Sequence, residues 1–477
     1  MKKLIRVLVV LLLCAATWAG ATYFVGGRMQ KMYSDMVETY GNMGPVSCVI
    51  ESYQRDFRQA KARLVIELKI PANQAIDDPT SQVENFRMVL EESITHGPLV
   101  DSGLGLATIE TRLVEVTPTE NELAKLLNEL PELAGVLNVT KVDLDGTMHG
   151  QTQIPAIHTV TEDGNLNWDG LQATTTFSPR KKSFIGTIDC AGLEGEFTDG
   201  LFAWDGLKGK FDLVEALPLL YLGQNDMQIG QLNITVDNQV DGEQEKVELK
   251  GFGIVSDSRM QDGLVSLEQT LSFAGILVDG QNYGPGELTV AMANLDGQTL
   301  SDFQQKIYAL YGRVEVADPE ALVAELMPLY TNMLLQLLEK SPQLDIRELQ
   351  FTTPHGNISG DLQISYDGSQ GASPAIPNSM FQAVAAQAQL AIHESLVRQI
   401  LASQVTGELH TARQQGQIPE TVTDQELENL AAQQIDTQLE AMLAQNYIIR
   451  DGDLLKTNAT LNNGELLVNG LSIPLFQ

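Results

Sequence analysis

Runs of strict apolar–polar alternation, separated by Asp-Gly and Asn-Gly pairs, recur through most of this chain. Leu64, Ile66, Leu68 and Ile70 alternate with Val65, Glu67 and Lys69, and Leu232, Ile234 and Val236 alternate with Asn233, Thr235 and Asp237. Leu267, Leu271, Phe273 and Leu277 share one face of the run Val265–Val278, and Ile358, Leu362, Ile364 and Tyr366 repeat the pattern. Successive side chains of a strand point to opposite faces, so these runs predict sheets with one dry and one wet face. The turn pairs are Asp145-Gly146, Asp163-Gly164, Asp241-Gly242, Asp279-Gly280, Asp296-Gly297, Asp367-Gly368 and Asn463-Gly464. Both residues of such a pair tolerate positive φ, which suits tight hairpins and predicts long antiparallel meanders. Trp168-Asp169-Gly170-Leu171 returns 36 residues later as Trp204-Asp205-Gly206-Leu207. Two copies suggest related strand ends and fall short of a solenoid or propeller array.

Helical periodicity is confined to three places. Leu123, Leu126, Leu127, Leu130 and Leu133 form a stripe within 119–135. Asp318-Pro319-Glu320 opens a second helix over 318–340, which Pro328 interrupts. The third region, 393–445, is rich in Ala, Gln, Leu and Glu; Pro419 splits it, and its second half starts between Thr421 and Asp424. Gly368–Pro377 reads as a linker, and residues 452–477 return to strand. The fold class expected is α+β: an N-terminal transmembrane helix, then a large, mainly antiparallel, curved β-sheet domain with inserted helices. The division expected is 1–27 as anchor, 28–315 as a β-rich region and 316–477 as an α+β region continuing the same domain.

The anchor rests on Lys2, Lys3 and Arg6, followed by the uncharged run Val7–Gly27, which ends at Arg28. About 20 apolar residues span a bilayer as a helix. Trp18 and Tyr23 suit the membrane–water interface, and the basic residues before the run favour a cytoplasmic start and an exported remainder. The alternative is a cleaved signal peptide with Ala19-Gly20-Ala21 as the cleavage site. Against it, the run exceeds the usual signal core, and Tyr23, Phe24 and Val25 continue the apolar character. Leu13 before Cys14 is too bulky for a lipoprotein site.

At 43% apolar residues, the chain can bury a real core. With 30 basic against 62 acidic residues, its net charge of −32 repels nucleic acid and anionic headgroups, which excludes a nucleic-acid partner. Of three cysteines, Cys14 lies in the anchor, while Cys48 and Cys190 are either one bridge or two buried thiols. No CxxC pair supports a zinc ribbon or thioredoxin site.

Chemistry-bearing constellations are sparse. His96-Gly97-Pro98, with Glu91 and Glu92 nearby, offers a general base, although Gly-Pro is also ordinary turn punctuation. His355-Gly356 sits in a similar setting. Asp237-Asn238-Gln239-Val240-Asp241-Gly242 followed by Glu248 approaches a calcium loop, but its flanks read as strands, which favours a hairpin. His393-Glu394 lacks the second His of a zincin, since Val397 stands there. No GxSxG, P-loop or dinucleotide fingerprint is present. No catalytic, cofactor-binding or metal-binding residue is assigned.

Several segments, in order and spacing, resemble the YdgA family of bacterial inner-membrane-anchored periplasmic proteins, a family defined by a domain of unknown function. They are Tyr53-Gln54-Arg55-Asp56-Phe57, Ile94-Thr95-His96-Gly97-Pro98-Leu99, Tyr283-Gly284-Pro285-Gly286-Glu287-Leu288, Asn294-Leu295-Asp296, Phe351-Thr352-Thr353-Pro354-His355-Gly356 and Val468-Asn469-Gly470. Asp56 stands where the family often has Gly, so a tight turn at this point does not follow from the resemblance. It implies a single pass through the inner membrane by residues 7–27 and a periplasmic β-rich domain, and it brings no catalytic residues. The function expected is non-enzymatic: a cell-envelope protein presenting a sheet or groove to a lipid or to another envelope protein, with a homo-oligomer compatible. The alternative is an exported hydrolase with a site near His96. A continuously apolar sheet face favours the first; His96 meeting a carboxylate and a nucleophile in one pocket favours the second.

Overall fold

The computed structural model describes residues 2–43, 46–70, 84–100, 103–117, 137–160, 164–197, 200–237, 244–278, 280–311, 319–370, 381–416, 419 and 422–474. The chain divides into two compact units, Met1–Met227 with Gln298–Met333, and Gln228–Gly297 with Leu334–Gln477.

The first unit is built on an antiparallel meander. Val46–Arg55, Gln59–Ile70, Glu84–His96, Ala107–Thr117, Leu137–Val142, Met148–Ile154, Leu171–Ser178, Ser183–Cys190 and Leu207–Leu217 each pair with the next. A smaller antiparallel sheet, Ile157–Val160, Gly164–Trp168, Leu193–Phe197 and Gly200–Trp204, is made by the outer parts of the same hairpins. The repeated Trp-Asp-Gly-Leu segments mark the points where a strand leaves the small sheet for the large one. Gly170 and Gly206 have φ of +93° and +114°, and a Cβ on either would lie 2.4 Å from a carbonyl oxygen, of Ile154 or Cys190. Only glycine fits this bend, so both copies do the same job.

Helix α1, Lys2–Tyr40, is a single unbroken helix. Its second half continues well past the expected anchor because Val25, Met29, Tyr33 and Met36 recur at helical spacing. They pack with Ala60, Ala62, Leu64, Ile94, Ala107 and Ile109 of the sheet. Among the described residues no helix is long and apolar enough to cross a membrane. The side chains of residues 7–12, the first part of the expected span, lie outside the described ones.

The second unit repeats the design. Phe252–Gln261, Leu264–Phe273, Gly286–Asp296, Gln343–Thr353, Gly356–Tyr366, Val384–His393, Leu454–Asn462, Glu465–Val468 and Leu471–Ile473 form an antiparallel series. Leu232–Asp237, Gln244–Lys250, Gly275–Val278 and Gln281–Tyr283 form a small sheet. The α+β class with a mainly antiparallel sheet is therefore observed.

Among the described residues the remaining helices are α2 (Gly297–Tyr311), α3 (Pro319–Leu338, containing Pro328), α4 (Glu394–Gln414) and α5 (Asp424–Ala444). Helix α5 starts where its sequence signal lies: Thr423 accepts from the Glu426 N–H while Glu426 accepts from the Thr423 N–H, a capping box. Helices α4 and α5 pair through Val405, Ala431 and Ile435. The helix expected at 119–135 lies outside the described residues, as do 371–377 of the expected linker. Asp296-Gly297 does not close a hairpin; Gly297 opens α2, whose Leu300, Phe303, Ile307 and Leu310 recur at helical spacing. Asp367-Gly368 likewise leads into a short 3-10 turn, whereas Asn463-Gly464 closes a hairpin as expected.

Candidate functional site

The densest cluster of buried polar chemistry lies under α1, where the first sheet grips it. Tyr33, fully enclosed by the helix–sheet contact, donates to Glu92 Oε2 at 2.6 Å. Thr111, one strand over and in register with Glu92, donates to Glu92 Oε1 at 3.0 Å. Tyr53 and Cys48, on the strand Val46–Arg55 two strands away, also border Tyr33, with the Tyr33 and Tyr53 rings 5.6 Å apart. Burial raises the Glu92 carboxyl above the ordinary range, against the pull of the two donated hydrogen bonds. Burial, helped by Glu92, also lifts the Tyr33 phenol and the Cys48 thiol. A phenol and thiol held protonated are not nucleophiles, so the cluster is a latch.

His96 ends the same strand, on the same face as Glu92 and 1% exposed. Its ring lies against helix α1 at Gly26, where a Cβ would come within 2.4 Å of Cε1. Neither ring nitrogen has a hydrogen-bond partner among the described residues. Burial holds its pKa below the ordinary histidine value, with Arg55 acting in the same direction and the Asp56 and Gln59 backbone opposing. Of the two carboxylates beside it in sequence, Glu92 is engaged by Tyr33 and Thr111. Glu91 faces the other side of the sheet, 3.8 Å from Arg63. That side carries an ion-pair network in which Arg63 and Arg87 each contact Glu51 and Glu115. No nucleophile joins His96, so the arrangement expected of a hydrolase is not assembled among the described residues.

The other sequence candidates are separate from this seat. His355 lies in the turn between Gln343–Thr353 and Gly356–Tyr366, and its carbonyl accepts from the Ser395 hydroxyl. His393 Nδ1 is 2.9 Å from Ser395 Oγ. A hydroxyl has one proton to donate, and the carbonyl takes it, so Nδ1–H donates to Oγ. That polarity is opposite to an activated serine. Glu394 is held by Arg398 at 3.0 Å and Arg450 at 2.7 Å, which depress its pKa. In the hairpin 232–250, Glu248 pairs across from Asn233 and Asp237 from Gln244. Four residue pairs, about 13 Å, separate the first and twelfth positions of a calcium loop, so they cannot close on one ion; residues 238–243 lie outside the described ones. No group of three His, Cys, Asp or Glu among the described residues could hold a metal ion. Cys48 and Cys190 are both free thiols, on separate strands of the first sheet. A groove of about 900 Å³ crosses the polar face of the second sheet, but its cations are partnered, Arg347 with Glu268 and Lys456 with Asp451.

Sequence reasoning noted His96 but missed its neighbour Gly26, and missed Tyr33 and Thr111 as the partners of Glu92. The helical stripe from Val25 to Met36 was the available signal. The segments behind the family resemblance meet in pairs within each unit. Tyr53–Phe57 and Ile94–Leu99 both border α1, and Tyr283–Leu288 is bonded to Phe351–Gly356 through the Gly284 N–H to Thr352 O, 2.7 Å, and Thr352 N–H to Pro285 O, 3.1 Å.

Protein YdgA of Escherichia coli (strain K12) is similar, 19% identical over 386 residues that cover 76% of this chain and 74% of that protein. No solved structure matches. A family model described as "Bacterial protein of unknown function (DUF945)" matches residues 1–476, and the chain therefore belongs to that YdgA-like family.

Proposed function

We propose that this protein is a single-pass bacterial inner-membrane protein anchored through the charge-free run 7–27, and that its periplasmic part binds a lipid without catalysis. The observation that carries the reading is the second unit's sheet. Ile254, Leu271, Leu288 and Leu349 pair in register across four successive strands, and Leu390 and Leu461 lie on the same face beyond Gly360, all only half-buried. The opposite face carries Thr270, Glu268, Gln350, Ser359, Asp361, Gln389 and Asn458. A continuous apolar face with a polar back is what an acyl chain requires. The single pass is supported by the unbroken α1, which carries the charge-free run directly into the latch.

Two experiments test the two halves of this reading. Alkaline phosphatase fused after Gln477 should be active; an inactive fusion alongside an active cytoplasmic reporter would refute the topology. A photocrosslinking amino acid at Leu288 or Leu390 in whole cells should capture lipid. Capture of protein alone, or equal lipid capture at Gln389 on the polar face, would refute lipid binding.

A further inference from the structure

The anchor and the folded domain overlap along α1. The charge-free run Val7–Gly27 is 21 residues long, close to the roughly 20 residues that a 30 Å hydrocarbon core needs. Yet Thr22 is 0% and Val25 8% exposed, and Gly26 touches His96, so from Thr22 onward one face of the helix already packs on the sheet. Val7–Ala21 remains, 15 residues and about 22 Å of helix, some 8 Å too short. The part of the domain level with the outer end of this segment must therefore make up the difference.

That part is apolar. Phe57, at the turn between the first two long strands, is 50% exposed and meets the Trp18 ring edge-on at 6.0 Å. Beside it, Arg58 donates to the Leu99 carbonyl at 3.2 Å, and Leu99 pairs with Leu104 across a two-stranded hairpin. Leu99 and Leu104 are 51% and 65% exposed, as are Tyr23 and Phe24 on the helix at 65% and 70%. Cations border this surface: Arg55 lies 5.0 Å over the Tyr23 ring, and Arg58 and Arg28 are exposed. Asp56 is the acidic residue of the same turn.

We propose that Phe57, Leu99 and Leu104, with Trp18, Tyr23 and Phe24, form a collar around α1 that dips into the phospholipid interface of the membrane. This rests on the single-pass reading and extends it, since it fixes which end of the domain touches lipid. Aromatic rings favour that interface, and arginines at the rim reach lipid phosphates while their stems stay among acyl chains. The collar supplies the missing depth, and on a chain with a net charge of −32 its basic rim makes it the surface suited to contact.

The test uses the full chain with Cys14, Cys48 and Cys190 changed to Ser. Single cysteines F57C, L99C, L104C and V160C are labelled with the environment-sensitive dye NBD. The protein is reconstituted in phosphatidylethanolamine–phosphatidylcholine vesicles carrying headgroup-proximal doxyl lipids. All four positions are exposed, so the labels replace no core contact; an unchanged melting temperature checks each variant. At least twofold quenching at 57, 99 and 104, with none at 160, is expected. If the protein floats with the vesicles but 57, 99 and 104 are quenched no more than 160, the collar is refuted and the single pass stands. Blue-shifted, unquenched emission would mean that a second copy covers the surface, and the proposal falls. A chain that does not float with vesicles overturns both.

Discussion

His96 shows how a residue that looks chemical in sequence becomes mechanical in the fold. The imidazole fills the space that Gly26 leaves open, so each makes the other necessary. Gly26→Ala should destabilise the first unit by about 1–3 kcal/mol, since the new methyl overlaps the ring. His96→Ala in the same chain should recover a good part of that loss, and a double-mutant cycle by denaturant unfolding should return a coupling of at least about 1 kcal/mol. Additive losses would mean the contact is not made.

The two buried titratable groups pull in opposite directions with pH. The depressed His96 pKa contributes stability that is present above the ordinary histidine value, about 6.5, and is lost as pH falls through the folded pKa. The raised Glu92 pKa contributes stability that is present below the ordinary glutamate value, about 4.3, and is lost as pH rises through the folded pKa. Relative to wild type, His96→Gln should therefore fare better as pH falls below about 6.5 than at neutral pH. Glu92→Gln should gain on wild type as pH rises from about 4. Calorimetric melting temperatures across pH check both; difference curves flat with pH would refute the assignments.

At the scale of elements, the bends at Gly170 and Gly206 are the shared device. Each turns a hairpin from one sheet into another, and each leaves no room for a side chain beside a carbonyl oxygen. Gly170→Ala and Gly206→Ala should each cost about 1–3 kcal/mol, measured by thermal unfolding, because a forced positive φ and a backbone overlap add together. Gly407→Ala serves as the control, since a methyl there would meet nothing within 4 Å, and should be neutral or mildly stabilising. Legibility differs from element to element. The capping box at Thr423 and the alternation of Ile358–Tyr366 are local signals, and the sequence shows both. Helix α2 escapes a reading that takes Asp296-Gly297 for a hairpin, although Leu300, Phe303, Ile307 and Leu310 follow it at helical spacing. Asp262-Gly263 makes a hairpin turn whose signal is present in the sequence but absent from the turn pairs singled out above.

For the whole molecule, charge is the broad constraint. A chain at −32 repels itself, and added salt screens that repulsion. The Debye length falls from about 30 Å at 0.01 M to about 8 Å at 0.15 M salt. The melting temperature should rise by about 3 °C over this range. A fall would mean that ion pairs such as the Arg63–Arg87 network outweigh the excess of acid.

The sequence by itself determined what depends on near neighbours. It specified which segments alternate, where α3 and α5 start, and that a charge-free run precedes a two-faced, acidic, β-rich body. These follow from side-chain period, capping chemistry and charge, all local to a few residues. Only the tertiary structure decided that α1 continues into a seat in the sheet, that Glu92 answers Tyr33 and Thr111, and that His96 meets Gly26. Tyr33 and Glu92 stand 59 residues apart. No local period records which strands become neighbours, since that choice is made when apolar faces distant in sequence are buried together.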